Sequence, residues 1–118
     1  MNETDIMNMI RIKAAVEGTL LWRNNVGATI DPSGRMVRYG LANDSKKLNS
    51  KVKSSDLVGI SAAGLFVAIE VKAPGWTYDP NNPVHIAQGA FLRIVAERGG
   101  ISYFADGVNR FDWHGKKI

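Results

Sequence analysis

The chain has 118 residues, enough for one compact domain with a real core, and 45% of them are hydrophobic. It contains no cysteine, which excludes disulfide frameworks, thiolate zinc sites and cysteine nucleophiles. A formal charge of +4 and a pI of about 9.6 permit a polyanionic partner without requiring one. No apolar run is long enough to span a membrane, and the start Met1-Asn2-Glu3-Thr4-Asp5 lacks a signal peptide's basic opening, so the expected compartment is the cytoplasm.

Ile6, Met9, Ile10, Val16 and Leu20 recur at helical spacing and predict a first helix over about residues 2–21. Asn2 or Thr4 can cap it, and Glu3 and Asp5 suit its first turn. Glu3 projects near the edge of the apolar side and Glu17 falls within it. Each is either an acid that reaches a polar corner of the core or an ordinary dipole-compensating or solvated glutamate. Residues 20–23 read as a short strand, and Asn24-Asn25-Val26-Gly27 as a turn. Asp31-Pro32-Ser33-Gly34 is a second turn, and residues 35–41 alternate like an edge strand. Arg23, Arg35 and Arg38 form a basic rim with Asn24 and Asn25 as phosphate contacts, or they are solvated arginines and turn asparagines. Residues 43–54 hold Lys46, Lys47, Lys51 and Lys53 with little apolar content. This run reads as a flexible loop, serving either as solvated surface or as a grip on phosphate.

Residues 57–60 form a short apolar run. Ser61-Ala62-Ala63-Gly64 is a tight turn, and residues 65–72 form a buried strand rich in β-branched side chains. The natural arrangement is a hairpin that sets Asp56 beside Glu70 at its open end. Side chains alternate along a strand, so Glu70 and Lys72 share one face and Val71 takes the other. Two adjoining carboxylates repel unless a cation neutralises them. With oxygen donors alone that cation is hard, Mg²⁺ or Mn²⁺. Lys72 beside it can hold a water or stabilise charge developing on a phosphate.

Residues 73–83 contain three prolines and a glycine and exclude regular structure. Trp76 and Tyr78 in this loop can stack on bases, cover the site or pin the loop to the body. Ile86, Ala90, Phe91, Ile94 and Val95 predict a helix over about residues 84–98, ended by Gly99-Gly100. Gln88 stands out in its first turns, while His85, lacking a partner, is left without a role. Residues 101–105 form a last strand, parallel to the Glu70 strand through a right-handed crossover. The tail from Val108 to Ile118, with Asp112 and His114, reads as surface. The class is α/β: a small mixed sheet flanked by helices, in the order α-β-β-β-α-β.

Asp56 followed by Glu70-Val71-Lys72 is similar to the PD-(D/E)XK nuclease signature, with Ser55 where the motif often has proline. Glu3-x-x-Ile6, Arg23-Asn24-Asn25-Val26-Gly27, Gln88-x-x-Phe91 and Gly99-Gly100 narrow the likeness. Over nearly the whole chain it resembles the VRR-NUC family, stand-alone phage and bacterial nucleases with a restriction endonuclease-like core. The resemblance implies a single nuclease domain over residues 1–118 and selects Glu3 over Glu17 as the first-helix acid. It implies a metal bound by Glu3, Asp56, Glu70 and the Val71 carbonyl, with Lys72 positioning the attacking water. Gln88 would orient that water or the phosphate. Arg23, Asn24, Asn25, Arg38, Lys51 and Lys53 would meet DNA. The family's minimal members imply a homodimer acting on branched DNA such as Holliday junctions, in a bacterial or phage-infected cell. Two other readings stand beside it: a non-catalytic basic nucleic-acid-binding domain, and a restriction-type enzyme, for which little chain is left to read a sequence.

Overall fold

Residues 67–71 lie between 0 and 4% exposed, and this doubly buried strand organises the molecule. The computed structural model describes residues 1–118. In chain order it contains α1 (Glu3–Val16), β1 (Leu20–Arg23), β2 (Gly27–Ile30), β3 (Met36–Tyr39) and α2 (Lys46–Lys51). There follow β4 (Leu57–Ile60), β5 (Phe66–Val71), α3 (Pro83–Glu97), β6 (Ile101–Ala105) and β7 (Arg110–Phe111). Five strands form a mixed sheet in the order β1-β4-β5-β6-β7, while β2 and β3 form a separate antiparallel ribbon. The β4–β5 hairpin is antiparallel, and β6 runs parallel to β5 after the α3 connection, as the sequence predicts.

The alternation of β5 divides the core. Val67, Ile69 and Val71 pack with Ile6, Leu21, Leu57 and Ala105 on the α1 side. Ala68 packs with Phe91, Leu92, Val95 and Phe104 on the α3 side. A strand covered on both faces needs a continuous apolar run, which is why residues 65–71 are uninterrupted until Glu70.

Several boundaries differ from expectation. The first helix stops at Val16 rather than near residue 21. Gly18 takes a φ of 86°, and the Gly18 and Thr19 amides donate to Ala15 and Ala14 carbonyls at 3.1 and 2.9 Å, closing the helix. Val16 and Leu20 are consequently exposed. The N-terminus is as read, with Asn2 accepting from the Asp5 amide at 2.8 Å in a capping box. The lysine-rich stretch expected to be a flexible loop contains α2. Ser45 caps it through the Leu48 amide at 3.0 Å, and the Lys53 amide ties its exit to the Ala87 carbonyl at 3.0 Å. The tail is not plain surface. It adds β7 beside β6 and then crosses α3 so closely that a Cβ at Gly89 would lie 2.3 Å from the Trp113 carbonyl oxygen. The order is therefore longer than α-β-β-β-α-β, by α2, β7 and the strand count of the ribbon.

Candidate active site

The pairing of Leu57 with Ile69 places Asp56, one residue before β4, opposite Glu70 near the end of β5. Leu57 and Ile69 face α1, so alternation turns Asp56 and Glu70 to the α3 side. Asp56 Oδ2 accepts from the Val71 amide at 2.9 Å, which fixes its carboxylate across the hairpin mouth. Glu70 is 4% exposed. Burial raises its pKa well above the ordinary glutamate value; the neighbouring Asp56 raises it further, through a hydrogen bond and through charge, while Lys72 opposes the shift. Glu70 thus favours its protonated form more than an ordinary glutamate does.

Lys72 follows directly. Its amide donates to the Ala105 carbonyl at 2.8 Å and its Nζ donates to Gln88 Oε1 at 2.7 Å. Gln88 comes from the second turn of α3, whose start is set by Pro83 and by Asn82 accepting from the Val84 and His85 amides. Trp76 and Tyr78 pin their loop to the body. Trp76 lies with its ring centroid 4.7 Å from Phe104 and 5.2 Å from Phe111, and Tyr78 lies 6.0 Å from Phe104. His85 anchors the same loop by accepting the Asp79 amide on Nδ1 at 2.9 Å. A neutral imidazole has one accepting nitrogen, so the 3.4 Å approach of Trp76 Nε1 to Nε2 is packing rather than a second hydrogen bond. Burial, and then the charge of Lys72, lower the His85 pKa and favour this neutral form.

A polar cleft of about 550 Å³ opens in front of the acids, between the β2–β3 ribbon and α2. Asn24, Asn25, Arg38, Lys53, Asp56, Glu70 and Gln88 line it, with Asn43, Asn49 and Ser54 among the other residues. Several residues read as phosphate contacts carry structural hydrogen bonds. Asn24 Nδ2 donates to Ser54 Oγ and the Ser55 carbonyl at 2.8 and 2.9 Å, and its Oδ1 accepts from Leu41. Arg38 donates to the Asn43 carbonyl and Oδ1 at 2.9 and 2.7 Å. Lys53 Nζ donates to Asn49 Oδ1 at 2.6 Å. Arg23 lies outside the cleft with Nε 3.2 Å from Met7 Sδ, and Lys51 is an exposed residue of α2 that does not line it. Asn43 escaped the sequence reading. It is 2% exposed and its amide donates to the Gly27 and Tyr39 carbonyls, bracing the ribbon to the cleft. Its only sequence signal was a position beside a turn.

Glu3 is exposed, one turn before Ile6, and the structure does not gather it with Asp56 and Glu70: no group of three or more His, Asp or Glu side chains is assembled. Glu17 lines a different cavity, between α1 and the opposite sheet face. The donor chemistry of Asp56 and Glu70, a half-buried and a buried carboxyl side by side at the hairpin mouth, fits a hard divalent cation, with two side-chain donors in place. No family model, curated protein or solved structure matches the chain.

Proposed function

We propose that the chain is a Mg²⁺- or Mn²⁺-dependent DNA endonuclease of the VRR-NUC type within the PD-(D/E)XK nucleases. The observation that carries this reading is buried Glu70 beside half-buried Asp56, on the same sheet face as the Lys72–Gln88 contact. A structural module gains little from such a corner, because apolar replacements of similar volume often serve stability equally well. When bound, the cation would acidify a water and draw charge from the scissile phosphate.

The chain's own residues supply the rest. Asp56, Glu70 and the Val71 carbonyl would hold the cation. To ligate a cation Glu70 would have to be ionised, against the burial and the Asp56 charge that raise its pKa. The Lys72 ammonium, kept from wandering by Gln88, holds the attacking water and meets the charge growing on the phosphate. Asn25, Arg38 and Lys53 line the way in and offer positive or amide groups to the backbone of DNA. Branched DNA such as a four-way junction, cut by a homodimer in a bacterial or phage-infected cell, is the proposed setting.

One observation favours a second reading. Only two acids are assembled, which suits a basic nucleic-acid-binding domain with no cleavage. A panel of labelled four-way junction, flap, splayed and linear duplex DNA, incubated with Mn²⁺ or Mg²⁺, separates the two. Metal-dependent nicks that disappear in Glu70→Gln support the nuclease, with paired symmetric nicks on the junction indicating the dimer. Binding without cleavage of any substrate would favour the second reading.

A further inference from the structure

We propose that Trp76 is a positioning residue for Lys72, acting as a fixed aromatic wall that holds the ammonium against Gln88. The inference rests on the nuclease reading for its catalytic consequence, but its structural part stands alone. A lysine ammonium sits on a flexible four-carbon stem with three donors, so a single hydrogen bond does not fix it. Lys72 has one side-chain hydrogen bond, to Gln88 Oε1 at 2.7 Å, and forms no salt bridge. Its remaining restraint is aromatic. Nζ lies 5.4 Å from the Trp76 ring centroid and 5.9 Å from that of Phe104, within the range where a ring face attracts a cation.

Phe104 is immobile by construction, being 0% exposed and paired with Glu70 across the β5–β6 ladder. Trp76 is different, because it arrives on an irregular loop that the chemistry does not otherwise need. That loop is fastened on every side. Trp76 stacks on Phe104 at an interplanar angle of 31°, meets Phe111 edge-on at 76°, and lies 5.3 Å from the His85 ring. The Asp79 amide bonded to His85 Nδ1 closes the segment. A ring engaged with Phe104 and Phe111 is not free to stack on a base. Lys72 is the charged group that this half-buried ring meets.

The test uses the full chain with Trp76→Phe and Trp76→Leu. In the metal-free protein, proton NMR of the Lys72 ε-methylene reads the ring-current shift. It is expected upfield in the wild type, smaller in Trp76→Phe and smallest in Trp76→Leu. In single-turnover and steady-state cleavage with Mn²⁺, Trp76→Leu is expected to lower kcat about 100-fold with KM for DNA little changed. Trp76→Phe should recover most of that loss. If Trp76→Leu does not fold, the intermediate shift and intermediate kcat of Trp76→Phe carry the test. A Lys72 shift unaffected by either substitution would overturn the proposal, and so would a raised KM with kcat intact, which marks base stacking instead. A wild type that shows the shift yet cuts no DNA supports the positioning and overturns the nuclease reading.

Discussion

Lys72 and Glu70 sit two residues apart on one sheet face and answer to opposite demands. The Lys72 amine is fixed by Gln88 rather than by a carboxylate, so removing it leaves the acids' geometry in place. Lys72→Ala is therefore expected to abolish cleavage, by 100-fold or more if it holds the attacking group as in general acid–base and electrostatic catalysis. Mn²⁺ binding should persist, and calorimetry showing that binding lost would contradict this role. Glu70 gives a pH signature. Its pKa in the folded protein lies well above its ordinary value of 4.5, chiefly through burial and then Asp56, so the folded state binds more protons than the unfolded one. Its contribution to stability is present below 4.5 and is lost as pH rises through the raised value. Melting profiles of the metal-free protein should show this decline, and Glu70→Gln should flatten it and melt higher at pH 8. A profile unchanged by the substitution would contradict the assignment.

The β4–β5 hairpin shows which elements could be read in advance. Two continuous apolar runs, a glycine turn at Gly64 and a charged residue at each open end are local signals, and they set Asp56 against Glu70 without further information. α2 could not be read this way. Leu48 and Val52 are its only apolar neighbours among lysines, and its existence depends on the Ser45 cap and on docking against α3. Ser45→Ala should cost about 1 kcal/mol in chemical denaturation, as typical N-caps do, and a change near zero would mean that α2 is held by packing alone. The place of Glu3 is a tertiary matter too, fixed by how α1 lies across the sheet. The roles of Asn24 and Arg38 as braces were hidden because their partners, Ser54, Leu41 and Asn43, come from loops. At Gly59 the constraint is steric. A Cβ there would lie 1.8 Å from the Leu20 carbonyl oxygen, so Gly59→Ala should push β1 off β4 and destabilise by about 2 kcal/mol or more.

At the scale of the molecule, one sheet separates two tasks. The α1 face is apolar core. The α3 face turns from core at Ala68, Leu92 and Phe104 into the polar cleft at Asp56, Glu70 and Gln88. Lys53 and Arg38 border this cleft, and the chain's net charge of +4 has the sign that draws a polyanion. Lys53→Ala is expected to weaken DNA binding uniformly across sequences and to lower the salt slope by about 1. An unchanged slope would place the DNA elsewhere.

The central claim is that the Asp56–Glu70 pair is a cation site, and titration calorimetry with Mn²⁺ tests it most directly. The wild type is expected to show saturable Mn²⁺ binding at millimolar concentration. Glu70→Gln should lose the binding. No saturable heat at millimolar Mn²⁺, or identical binding in Glu70→Gln, would contradict the account.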